Sequence, residues 1–134
     1  MSPAQTMLVT GGAGGIGRAT AFVFARAGYH VVVTDVLETE GRATAAAIVA
    51  EGGIASFAAM DVRSSERVNE VVAAVIAEHG ALDALVLNAG IAHKVPLAQL
   101  SDERWDHTLD IDLKGMFRVA RAALPPMRAR RAGS

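Results

Sequence analysis

Gly12-Ala13-Gly14-Gly15-Ile16-Gly17 has the spacing G-x-G-x-x-G. It lies between an apolar run, Thr6 to Thr10, and an Ala-rich stretch with helical spacing. Glycines let a backbone turn sharply and come close to a ligand, and the start of a helix offers free N–H groups and a positive dipole end. Together these make a cradle for a pyrophosphate. Asp35 closes the second apolar run, near the roughly 20-residue distance at which a carboxylate bonds the adenosine ribose hydroxyls of a dinucleotide. A carboxylate there repels a 2′-phosphate. No Lys or Arg lies within the glycine run, and Arg18 is already inside the helix, so the pattern favours NAD over NADP. Asp35 could instead cap the next helix, but Thr39 is better placed for that. Asp61-Val62 and Asn88-Ala89-Gly90 close two further apolar runs. Such positions face ligands in open α/β sheets, and Asp and Asn also make local turn bonds, so both readings stay open.

The elements that must position these residues alternate. The apolar runs are Thr6–Thr10, His30–Asp35, Ile54–Asp61 and Leu82–Asn88. Between them lie helical stretches over about 15–27, 39–51 and 65–79, closed by Gly28, Gly52-Gly53 and Gly80, with Ser64 or Ser65 as a cap for the third. This spacing predicts βαβ units and a doubly wound parallel sheet of four strands, in the order 3-2-1-4. After a loop over 89–96, Ser101-Asp102-Glu103 reads as a cap opening a long helix to about Leu124, bent near Gly115. Pro125-Pro126 predicts a kink or an end. Leu85-Val86-Leu87 would form an apolar sheet edge. One domain, 1–134, is expected.

The bulk composition excludes several classes. The 134 residues are 51% hydrophobic and 20% charged, with a formal net charge of -1 and no cysteine. Disulfides and thiolate metal sites are excluded, and His30, His79, His93 and His107 have no i, i+4 spacing that would hold a metal. The near-neutral balance makes no case for nucleic acid or an acidic membrane surface, and Arg128, Arg130 and Arg131 read as a solvated helix end. The first residues lack a signal-peptide pattern and no apolar run spans a bilayer, so a soluble cytoplasmic protein is expected.

The register Thr10-Gly11-x-x-x-Gly15-x-Gly17, with Asp35, Asp61-Val62 and Asn88-Ala89-Gly90, resembles the short-chain dehydrogenase/reductase family. Trp105-Asp106 and Ile111 to Phe117 are similar to that family's long interface helix. The resemblance covers nearly the whole chain and implies a Rossmann-like fold. By that resemblance, Gly11, Ala13, Gly14, Gly15 and Ile16 meet ribose and pyrophosphate. Asp35 and Val36 meet the adenosine ribose, and Asp61 and Val62 flank adenine. Asn88, Ala89 and Gly90 pass beneath the cofactor, and Ile111 approaches the nicotinamide. The resemblance also implies a small alcohol or carbonyl substrate and a homo-oligomer for the full-length form.

The sequence departs from the family pattern in its catalytic part. Family catalysis uses Asn, Ser, Tyr and Lys, with Tyr and Lys four apart on a later helix. Here the one tyrosine is Tyr29, at the start of the second strand, and the lysines are Lys94 and Lys114. Asp112 stands at the family's Asn position, and an ionised carboxylate accepts hydrogen bonds where Asn also donates. Three readings follow. The chain is the cofactor-binding half of an oxidoreductase, inactive alone; or a module that binds NAD without chemistry, which another chain could complete; or an interaction fragment that binds no cofactor.

Overall fold

The computed structural model describes residues 4–134; expectations that concern Met1 to Pro3 lie outside them. Four strands, β1 (Thr6–Thr10), β2 (His30–Asp35), β3 (Ile54–Ala59) and β4 (Ala84–Val86), form one parallel sheet ordered β3-β2-β1-β4. The helices α1 (Gly15–Arg26), α2 (Glu38–Ala50) and α3 (Ser65–His79) are the crossovers. This is the doubly wound order expected from the alternation and the Rossmann-like fold that the resemblance implies.

The pleat of β1 divides the core in two. Met7 and Val9 point to one face, where they meet Val31, Val33, Ala21, Ala45 and Ile48. Leu8 points to the other, with Val32 and the Val68, Val71, Val72 and Val75 stripe of α3. The α3 spacing, i, i+3, i+4 and i+7, is what a helix needs to bury one face. Full burial of each such side chain contributes about 1.5–3 kcal/mol. Ser64 caps α3 by accepting from Arg67 N–H at 3.1 Å, and Gly28, Gly52 and Gly80 close α1, α2 and α3 at positive φ.

β3 ends at Ala59 rather than Asp61, and three larger boundaries differ from expectation. β4 is shorter than 82–88 because side chains replace ladder partners at both ends. Thr6 N–H donates to Asp83 Oδ2 at 2.8 Å, and Asn88 N–H donates to Thr10 Oγ1 at 2.9 Å. Burial alone would push the Asp83 carboxyl up, but the Thr6 N–H and Arg130 outweigh it and leave the carboxyl low.

The long helix is two, α4 (Asp102–Asp112) and α5 (Lys114–Arg130), broken at Leu113 rather than bent at Gly115. The buried Arg118 guanidinium takes up the Asp110 carbonyl at 3.1 Å and its carboxylate at 2.7 Å, and reaches Val62 O at 3.2 Å. Gly115 serves close packing instead, since a Cβ there would lie 2.6 Å from Val62 Cγ2.

The third difference is that α5 runs through Pro125 and Pro126. Two prolines remove two backbone donors, and a helix-interior proline costs about 3 kcal/mol. Pro125 leaves Arg121 O without its helical donor, and Arg121 is exposed, where water can take that place. The end of α5 is tied down by Arg130, which bonds Asp83 Oδ1 at 2.9 Å. The outer edge of β4 is therefore partly paired: Leu85 N–H donates to Ser134 O at 2.8 Å, and Ser134 N–H to Asp83 O at 3.0 Å.

Candidate functional site

The carboxyl ends of all four strands open on one cleft of about 450 Å³. Of the expected site residues, Gly11, Gly14, Asp35, Val36, Val62, Asn88, Ala89, Gly90 and Ile111 line it. Leu37, Met60 and Ile91 also line it and were not anticipated. They carry no spacing signal, because they reach the cleft only through the crossing of separate loops. The walls are mostly apolar, and Asp35 is the one charged side chain in the lining.

The glycine turn between β1 and α1 builds one wall. Gly11 has φ 67°, a left-handed conformation that a side chain disfavours. Gly17 is needed for close approach, because a Cβ there would lie 2.2 Å from Gly11 O. Ala13 is buried behind the turn, whereas Gly14, Gly15 and Ile16 are exposed, Ile16 at 78%. No side chain caps α1, unlike α3 and α4, which have Ser64 and Ser101. The first N–H groups of a helix have no partner within it. Here Gly14, at the N-cap of α1, lines the cleft with the positive end of the helix dipole behind it.

Asp35 stands across the turn. Its Oδ2 accepts from Ala13 N–H at 2.9 Å and its Oδ1 from Leu37 N–H at 3.1 Å. The second bond corrects the expectation for Thr39. α2 starts at Glu38 after Leu37 with no side-chain cap bond, and Asp35 serves the turn before it. A carboxylate has about four acceptor sites, so about two remain on this cleft-lining residue.

Asn88 joins β4 to the turn. Its Nδ2 donates to Thr10 O and Gly11 O, each at 3.1 Å. Thr10 Oγ1 accepts from Ala89 N–H at 3.0 Å as well as from Asn88 N–H. Asp112 faces the same loop, accepting from Ile91 N–H at 2.8 Å, and is half-buried rather than a freely solvated helix residue.

Asp61 is not in the cleft lining. Arg63 clamps both its oxygens, with the shortest contact 2.7 Å. The hydrogen-bonded Arg63 side chain holds the Asp61 carboxyl below its usual range, against a smaller opposing effect of burial. Tyr29 lies at the other end of the sheet, packed edge-on to Phe24 at 5.0 Å.

A cleft across strand ends, an uncapped helix start and one carboxylate with free acceptor sites suit a dinucleotide. The family model for short chain dehydrogenases matches residues 5–134. The chain belongs to the short chain dehydrogenase family. Among its relatives, cyclopentanol dehydrogenase of Comamonas sp. (strain NCIMB 9872) is 38% identical over 92% of this chain and 50% of its own length. The 3-oxoacyl-[acyl-carrier-protein] reductase of Staphylococcus aureus (strain MW2) is 33% identical over 100% of this chain and 55% of its own length. The crystal structure of a metagenomic short-chain oxidoreductase in complex with NADP superposes with a TM-score of 0.91 at 35% identity, over 98% of this chain and 60% of that one. The chain thus spans about half the length of the curated relatives it matches. Among the described residues no helix is long and apolar enough to cross a membrane. Nor do they contain a group of three His, Cys, Asp or Glu able to hold a metal.

Two features lie outside the cleft, one that the sequence did not show and one on the helix it read as an interface. His30 and His79 meet with ring centroids 4.1 Å apart, at the end of the sheet opposite the cleft. The α4–α5 surface holds a groove of about 530 Å³ lined by Asp106, Leu109, Asp110, Leu113, Lys114 and Phe117. Leu113 is 66% exposed and Phe117 54%.

Proposed function

We propose that this chain is the cofactor-binding part of an NAD-dependent oxidoreductase acting on a small alcohol or carbonyl compound. The observation that carries the reading is the start of α1. It has no side-chain cap, and it opens on a cleft whose one charged lining residue is a carboxylate with acceptor sites to spare.

In this reading Gly11, Ala13, Gly14, Gly15 and Ile16 form the pyrophosphate turn. The exposed Ile16 closes over the ligand. Asp35 accepts the adenosine ribose hydroxyls with Val36 beside it, and excludes a 2′-phosphate. Asp61 and Val62 flank adenine, Val62 from the cleft wall and Asp61 from behind its Arg63 pair. Asn88, Ala89 and Gly90 form the floor, and Ile111 bounds the nicotinamide end. When bound, NAD supplies the hydride-accepting carbon. Because a neighbouring fold is known with NADP, the preference for NAD rests on Asp35.

The proton-transfer step is not assigned to this chain. Tyr29 is at the wrong end of the sheet, and Lys94 and Lys114 have no tyrosine partner. Asp112, at the family's Asn position, holds the loop after Asn88 through Ile91 N–H and lacks the donor that Asn supplies. Residues 1–134 therefore read as one incomplete domain of a cytoplasmic enzyme. The domain binds cofactor and turns over substrate only when completed. The α4–α5 groove is proposed as the homo-oligomer surface. The acidic first turn of α4, Asp102 and Glu103, and Arg128 in the last turn of α5 would pair across a two-fold axis.

Calorimetric titration with NAD and NADP tests the cofactor reading. NAD is expected to bind more tightly than NADP. If neither bound, the reading would fall.

A further inference from the structure

The glycine turn is held from several directions. Gly12 N–H donates to Thr34 O at 3.0 Å, Asn88 Nδ2 reaches Thr10 O and Gly11 O, and Ala13 N–H is held by Asp35. The remaining hold comes from α2. Thr44 is 0% exposed, and its hydroxyl lies 3.3 Å from Ala13 O and 3.2 Å from Glu40 O. Bonding the carbonyl one turn back is ordinary for a helical threonine. The reach to Ala13 is not. Thr44 is the only donor to Ala13 O among the described residues. It gets there because α2 lies close on the sheet: a Cβ at Gly41 would sit 2.2 Å from the Phe57 ring.

A peptide unit is planar and trans, so the Ala13 carbonyl and the Gly14 N–H point in opposite directions. The carbonyl is aimed into α2, which directs the Gly14 N–H away from α2, on the exposed residue that lines the cleft. We infer that Thr44 is a positioning residue of the phosphate turn: by holding Ala13 O it fixes the direction of the Gly14 N–H. The inference rests on the cofactor-binding reading above and adds a residue from outside the motif. Asp35 fixes the peptide before Ala13 and Thr44 the peptide after it, so both planes are set before any ligand arrives.

The test compares Thr44→Val, which keeps the shape and removes the hydroxyl, with Thr44→Ser, which keeps the hydroxyl. The probes are ADP-ribose, which carries the pyrophosphate, and adenosine, which does not. Thr44→Val should bind ADP-ribose about three- to tenfold more weakly, the range for one lost neutral hydrogen bond, with adenosine affinity unchanged. Thr44→Ser should match the parent for both. Without ligand, the Gly14 amide should exchange faster with solvent in the Val variant than in the Ser variant. Should the Val variant not fold, Thr44→Ala removes the same hydroxyl without adding bulk, with the same expectation. Equal losses for both ligands, or no loss for ADP-ribose, would overturn the positioning role while leaving the cofactor site intact. If the parent chain bound neither probe, the cofactor-binding reading itself would fall, and the brace with it.

Discussion

Replacing Asp35 tests the cofactor preference at the level of single bonds. The carboxylate now accepts from Ala13 N–H at 2.9 Å and Leu37 N–H at 3.1 Å. Asn at this position is nearly isosteric, but its NH₂ must face one of those two donors, so one backbone bond is lost. A hydrogen bond to a charged group contributes about 1.5–3 kcal/mol, and Asp35 is half-buried, so the low end applies. Losing one ribose hydroxyl bond of the same kind weakens NAD about tenfold, since 1.4 kcal/mol is a factor of ten. For NADP the sign differs. Each unit of negative phosphate charge within about 5 Å of the carboxylate costs roughly 3 kcal/mol at an effective dielectric constant of 20, and the Asn variant removes that repulsion. Asp35→Asn should therefore weaken NAD and strengthen NADP, moving their affinity ratio by at least about a hundredfold. Titration calorimetry on parent and variant reads both constants. If NAD and NADP changed by the same factor, the carboxylate would not be reading the 2′ position, and the NAD preference would be wrong.

Other perturbations probe the frame around the site. Asn88→Ala frees two carbonyls on the glycine turn and should cost about 1–3 kcal/mol, lowering Tm by roughly 3–15 °C. Asn88→Asp should be worse, because it sets a carboxylate against Thr10 O and Gly11 O; a melt matching the parent would refute the bonding scheme. Burial, and then the neighbouring His79, lower the His30 pKa below its ordinary 6.5, while Glu78 opposes them. The contribution of the neutral ring is therefore fully present well above pH 6.5. It is lost as pH falls below that value, with a slope of at most about 1.4 kcal/mol per pH unit. His30→Val should flatten the acid limb of the melting curve between pH 7 and 5; an unchanged limb would acquit the pair. Leu113→Glu puts a charge into the α4–α5 groove and should shift any oligomer to monomer in sedimentation, with NAD affinity kept. An unchanged sedimentation profile from an oligomeric parent would place the interface elsewhere.

Local rules made much of the fold legible. The α3 stripe, its Ser64 cap and its Gly80 stop are all short-range features, and that helix falls on Ser65–His79 as read. The sheet order followed from the βαβ rhythm. What escaped depends on partners far along the chain. At the break at Leu113, Arg118 reaches back to Asp110 and across to Val62, and beyond its two prolines the end of α5 is held where Arg130 meets Asp83. In the cleft, the motif residues were visible because glycine and strand-end carboxylates have fixed geometric duties. Leu37, Met60 and Ile91 were not, because an apolar residue beside a turn looks the same whether it faces solvent or a cleft. Arg63 sits two residues from Asp61, but nothing in that spacing announces a clamp.

The stitch of Thr10 and Asn88 across the β1–β4 seam makes two regions one thermodynamic unit. β4 has three ladder residues, the shortest strand of the sheet, and on its outer side it is met by Ser134 alone among the described residues. Such a strand is where native-state opening begins. Because Asn88 Nδ2 bonds two carbonyls of the glycine turn, opening β4 as far as Asn88 would free Thr10 O and Gly11 O. A ligand held by the turn would then protect β4 amides from exchange that it never touches. Conversely, a strand added to the outer edge of β4 would raise cofactor affinity by removing open states from the ensemble.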